Sequence, residues 1–245
     1  TMIVGDLYNE NLITVNRGPL YVIGNITNDG TILGEVDNGP GFAGGDEPAA
    51  GDGFRVSGDY IAGASASLYM AHENWQMAVG GNVDIAINDH DRFIMDEATL
   101  AMTGESGSVQ SLEAMSLDVG SSTIGIDRTL DGHFPLGALV IEAGTEVTVV
   151  DNHDNAGGNE TMYVKHLVIE AGSVFVTGDR TIWYETVDNN GTVIGDIDVI
   201  KEPCPGDGDG DGEVDIDDLL TVIGNFTCTG ICDGDVDGNG IVDIN

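Results

Sequence analysis

The residues with the clearest capacity for chemistry are the aspartates of "GDGDGDGEVDIDDLL", Gly206 to Leu220. Laid on a twelve-position loop, Asp207, Asp209 and Asp211 take positions 1, 3 and 5, and Gly212 takes the sharp turn at 6. Glu213 then offers its backbone carbonyl at 7, Asp215 stands at 9 and Asp218 closes the loop at 12. This spacing sets oxygen ligands around a hard divalent cation, and Ca2+ is the expected cofactor. A second run follows the same template, with Asp235, Asp237 and Asn239 at 1, 3 and 5, Gly240 at 6, Ile241 at 7 and Asp243 at 9. It reaches Asn245 before position 12, so its last ligand is expected from further sequence, from water or from another molecule.

Two histidine-bearing turns are weaker candidates. "NDHDR" sets Asp89, His90 and Asp91 beside Arg92, and "DNHDN" sets Asp151, His153 and Asp154 together. Either could supply metal ligands or acid and base groups, but polar residues of this kind are also ordinary turn chemistry, and that reading is favoured. Neither H-E-x-x-H nor G-x-S-x-G occurs. A hydrolase built on two carboxylates stays open, because folding can pair any two acids. Trp75, Trp183, Tyr163 and Tyr184 could form sugar platforms, yet with aromatic residues at 6% of the chain a core role is favoured for most. Asn25, Asn159, Asn190 and Asn225 lie in N-x-T sequons, which also arise by chance.

These groups need elements to hold them. After the first acidic run, Ile216, Leu219, Leu220, Ile223 and Phe226 fall on one helical face, while Pro203 and Pro205 discourage a helix before it. Upstream of about Lys201 the text is short alternating apolar runs, "LYVIGNI", "NVDIAI", "EVTVV" and "SVFVTG", broken by Gly, Asn and Asp. "LVIEAGTEVTVV" from Leu139 returns as "LVIEAGSVFVTG" from Leu167, with a looser echo in "YIAGASASLYM" from Tyr60. "NDGTILGEV" at Asn28 returns as "NNGTVIGDI" at Asn189. Repeated strand, glycine turn and strand predict an all-β fold of stacked rungs, a right-handed parallel β-helix or solenoid over residues 1–200. The rival is an antiparallel β-sandwich, which uses the same short strands. Residues 201–245 form the expected small C-terminal module.

Charge narrows the partners. The 245 residues carry 43 Asp and Glu against seven Lys and Arg, a formal net charge of −36. Nucleic acid and anionic membrane surfaces are therefore poor partners, and self-repulsion favours binding of cations. A polyuronate lyase is disfavoured for the same reason. No run approaches the ~20 apolar residues of a membrane helix. The three cysteines, Cys204, Cys228 and Cys232, surround the acidic runs. In a secreted protein one pair of them could close a loop, with the pairing open.

The tandem D-x-D-x-D-G-x-V-D loop followed by a helix resembles a type I dockerin module over about Asp207 to Asn245. The resemblance implies a module that folds on Ca2+ and docks onto a cohesin-like partner. The upstream strands resemble the strand-and-glycine repeat domains of large secreted bacterial proteins, which implies an extracellular or cell-surface location and adds no catalytic residues. The function expected on these grounds is a secreted, calcium-binding structural protein that self-associates into a fibre or surface matrix. The alternative is a dockerin-tethered enzyme or binding module for an extracellular glycan.

Overall fold

The computed structural model describes residues 1–15, 19–34, 52–104 and 109–201. Both acidic loops, with every calcium ligand assigned to them, lie outside the described residues.

The chain climbs in rungs. The first is β1 (Met2–Val4), β2 (Leu7–Asn9) and β3 (Leu12–Val15); the second is β4 (Leu20–Ile23), β5 (Ile26–Asn28) and β6 (Thr31–Gly34). The third is β7 (Asp52–Val56), β8 (Tyr60–Ala62) and β9 (Ser67–Tyr69). Next come β10 (Trp75–Val79), β11 (Val83–Ile85) and β12 (Phe93–Met102), the last of which completes one rung and begins another. β13 (Val109–Glu113) continues that rung, and β14 (Ser116–Leu117) leaves it. β15 (Leu136–Ile141), β16 (Glu146–Val150) and β17 (Glu160–Thr161) follow, then β18 (Tyr163–Ile169), β19 (Val174–Asn189) and β20 (Thr192–Val199).

Eighteen of these strands form one sheet in which each pairs with its counterpart on the neighbouring rung. Its pairings run parallel, from Met2 opposite Tyr21 to Tyr184 opposite Val199. Only β14 and β17 pair antiparallel, as a separate two-stranded patch. The fold is therefore a parallel β-helix, and the antiparallel sandwich is excluded. Among the described residues the only helices are the 3-10 turns His90–Arg92 and Thr123–Ile126, and no helix is long and apolar enough to cross a membrane.

Period-two alternation puts every second side chain inside, and parallel register stacks like on like. Val22, Val56, Val79, Met102, Ile141 and Ile169 form one such column. Phe54, Met77, Leu100, Leu139 and Leu167 form another, and all of these side chains are buried. Each contributes roughly 1.5–3 kcal/mol of burial, so the column carries the fold rather than any single rung.

The sequence echoes divide on inspection. Leu139 pairs with Leu167 and Val147 with Phe175, so "LVIEAG" repeats are true neighbouring rungs. In both, the amide of Thr145 or Ser173 donates to the carbonyl of Glu142 or Glu170, across Gly144 or Gly172 at φ 76° and 79°. That positive φ is the demand a type II turn makes, and glycine meets it without a side-chain clash. The looser echo from Tyr60 lies one corner further round, on β8 and β9. "NDGTILG" and "NNGTVIG" also occupy different faces, since Thr31 stacks between Leu12 and Ser67 while Thr192 stacks on Val174. What they share is local: Asn28 Oδ1 accepts from Gly30 N, and Asn189 Oδ1 from Gly191 N.

One corner of the early rungs repeats a Gly-Asp or Gly-Asn pair: Gly5-Asp6, Gly24-Asn25, Gly58-Asp59 and Gly81-Asn82. Asp6 Oδ1 accepts from Asn25 N at 2.9 Å, Asn25 Oδ1 from Asp59 N at 2.8 Å, Asp59 Oδ1 from Asn82 N at 2.7 Å and Asn82 Oδ1 from Ser111 N at 2.8 Å. The side chains thus satisfy turn amides that no strand partner reaches. Inside, Asn9 Nδ2 donates to Asn28 Oδ1 at 2.8 Å, and Asn28 donates on to Ser67 O.

Candidate metal centre

Asp84 lies on β11 between Val83 and Ile85, which point into the core, so its carboxylate faces outward. Val83 pairs with Leu112, which makes Glu113 the outward neighbour of Asp84 on the next rung. Glu113 in turn pairs with Val150, the last residue of β16. Beyond Val150 the chain folds back over this face instead of turning to the next rung. Asn155 anchors the return, donating from Nδ2 to the carbonyls of Ile85 at 2.9 Å and Ile87 at 2.7 Å, where β11 has ended. The fold-back sets His153 Nε2 2.6 Å from Asp84 Oδ1.

Glu113 is enclosed by this loop and only 2% exposed. Its Oε1 accepts from the amides of Asn152 at 2.7 Å and His153 at 2.9 Å. Its Oε2 is buried without a partner. Burial pushes the Glu113 carboxyl above its ordinary range; the two amides and His153 pull it back, and the nearby Asp84 pushes it further up. One ligand atom from each of Asp84, Glu113 and His153 lies within 4.8 Å of the others. The group can hold a metal ion, with two carboxylates and one imidazole as donors.

A second acidic neighbour shares the loop. Glu160 is 3% exposed, accepts through Oε1 from Ala156 N at 2.6 Å, and leaves Oε2 buried and unpartnered. Burial pushes its carboxyl up to about 7, against the pull of the Ala156 amide and with help from Asp151. It borders a polar pocket with Asp118, Asp151, Asp179 and Arg180. Arg180 holds that edge, donating to Glu160 O at 2.9 Å, Asp151 Oδ2 at 2.9 Å and Asp179 Oδ1 at 3.0 Å. Compared with known proteins, the chain matches no family model, no curated protein and no solved structure.

The histidine turns have separate fates. Of "DNHDN", only His153 joins the cluster; Asp151 pairs with Arg180, and Asp154 Oδ1 accepts from Gly157 N at 2.9 Å. "NDHDR" is a turn: Asp89 caps the 3-10 helix through Asp91 N and meets Arg92 at 3.2 Å, while His90 lies 3.5 Å from Asp131. Trp75 and Tyr163 are core residues, and Trp183 Nε1 donates to Asp118 Oδ1 at 3.0 Å. Asn25, in its sequon, serves the corner ladder.

Sequence reading missed Asp84 and Glu113. Asp84 carried one signal, an acid between two apolar residues in "VDI", which marks an outward position on a strand. Glu113 carried none, because its burial depends on a loop that begins after Val150.

Proposed function

We propose that this protein is a secreted structural subunit whose β-helix adds end to end to further copies, with Ca2+ taken up by its C-terminal dockerin-like loops. One observation supports the reading: β1, β2 and β3 each pair on one side alone among the described residues, and they bear exposed apolar groups. Met2, Val4, Tyr8 and Leu12 are between 58% and 75% exposed. At the other end β20 pairs, among the described residues, with β19 alone, and Ile194 and Val199 are exposed. Unpaired edges of parallel strands are templates for another strand, and a head-to-tail contact of this kind propagates. The −36 charge on each copy opposes it, so cations must neutralise the approach.

The experiment is light scattering and electron microscopy of the full chain with calcium, then with a chelator. Assemblies that form in calcium, dissolve on chelation and are lost in Val4→Lys/Leu12→Lys support the reading. A monomer under both conditions overturns it.

A second reading, glycan cleavage, draws on the pocket around Glu160, whose carboxyl is poised near neutrality and could protonate a leaving group beside Asp151. Hydrolysis of an extracellular polysaccharide, lost in Glu160→Gln, would favour it over the first.

A further inference from the structure

We propose that Asp84, Glu113 and His153 form a binding site for a first-row divalent transition ion of the zinc type, distinct in its residues and ligand chemistry from the C-terminal acidic loops.

The donor set selects the ion. Calcium and magnesium take oxygen ligands, and an imidazole nitrogen among three donors argues against both. Two carboxylates and one histidine match the borderline ions, and zinc in particular binds three protein groups and leaves a fourth position to water. In a tetrahedral zinc site the ligand atoms lie about 3.4 Å apart. His153 Nε2 and Asp84 Oδ1 are at 2.6 Å, and the whole group fits within 4.8 Å, so adjustments of under about 1.5 Å would bring it to that geometry. The side chains of His153 and Asp84 are 35% and 40% exposed, which gives an ion a path in and a water a place to bind.

A purely hydrogen-bonded cluster explains less. The His153 to Asp84 contact would satisfy those two side chains, and the loop amides satisfy Glu113 Oε1. Glu113 Oε2 would still be a buried carboxylate oxygen facing no donor, 98% of its residue's surface being covered. No Lys or Arg pairs with either carboxylate among the described ion pairs. A cation supplies what that oxygen lacks. The surroundings are also those of a ligand held in place: two backbone amides fix Glu113 through its other oxygen, as outer hydrogen bonds commonly orient metal-binding carboxylates.

The three ligands come from β11, from the end of β13 and from the loop after β16. An ion at this point would staple the loop across neighbouring rungs, adding to the Asn155 contacts.

The test uses the full chain with alkylated thiols in excess calcium, so that neither the cysteines nor the acidic loops compete for the probe. Zinc titrated by calorimetry should bind at one site, and cobalt should give the visible absorption of a low-symmetry nitrogen and oxygen site. His153→Ala and Glu113→Gln should each weaken zinc binding on the order of 100-fold. Asp84→Asn should weaken it too, while Asp207→Ala should leave it unchanged. Zinc should raise the melting temperature of the wild-type protein and not of His153→Ala. Zinc binding unaltered in all three cluster variants, or no zinc binding by the folded wild type in that excess of calcium, would each overturn the proposal. Each readout is repeated in the Val4→Lys/Leu12→Lys background, which does not assemble in calcium if the first proposal holds, so the two proposals stand or fall separately.

Discussion

Two regions of the β-helix use the same residue types to opposite ends. At the early corner, Asp6, Asn25, Asp59 and Asn82 each give a side-chain oxygen to an amide one rung on, and the ladder is closed. Under the loop at residues 151–160, Glu113 Oε2, Glu160 Oε2 and Asn155 Oδ1 stay buried and unpartnered. An acid that gives one oxygen to a neighbouring amide while keeping its access to solvent, as Asp6 and Asp59 do, is part of the scaffold. A buried acid with an oxygen to spare costs stability, and such a cost is repaid where a ligand or proton is bound.

The contrast can be broken most severely at the corner itself. A side chain at Gly24, which sits at φ 147°, would bring Cβ within 2.6 Å of the Gly5 carbonyl. Gly24→Val should lose about 2–4 kcal/mol in urea unfolding, because the Gly5 backbone and the Asp6 carboxylate already fill that space and the positive φ disfavours a branched side chain. Asn25→Ala, which orphans the Asp59 amide, should lose about 1–2 kcal/mol by the same measurement. A loss under a few tenths of a kcal/mol would show that water replaces the ladder.

On the other side of the comparison the sign reverses with pH. Glu160 has its carboxyl raised in the folded state, so folding takes up a proton between its ordinary value and about 7, and stability falls as pH rises through that window. Glu160→Gln keeps an oxygen for Ala156 and cannot ionise. It should be more stable than wild type near pH 8 and nearly equal near pH 4, read from urea midpoints; the same difference at both pH values would show that Glu160 takes up no proton on folding. The smallest effect is expected at Asp91→Asn, an exposed turn residue outside both networks, within about 0.5 kcal/mol.

Much of the solenoid was readable in advance. The stacked register of Leu139 on Leu167 is written in the repeated "LVIEAG", because identical strands with identical turns fall naturally into neighbouring rungs. "NDGTILG" and "NNGTVIG" misled for the converse reason. An Asx turn is built within three residues and carries no information about which face it closes. The Gly-Asp and Gly-Asn corners were a rung signature in plain sight, hidden by the unequal lengths between them.

The candidate site was legible only in part. His153 stood out because histidine beside acids is chemically conspicuous at any fold. By itself the sequence determined the class of the protein: alternation set the strands, glycine and asparagine set the turns, and repetition set the parallel stack, all of them short-range properties. The meeting of Asp84, Glu113 and His153 was decided by the tertiary structure. Register across two rungs put the carboxylates side by side, and a loop anchored by Asn155 on Ile85 and Ile87 carried the imidazole back to them. Which side chains converge depends on contacts between distant segments, and no local pattern encodes the distance between them.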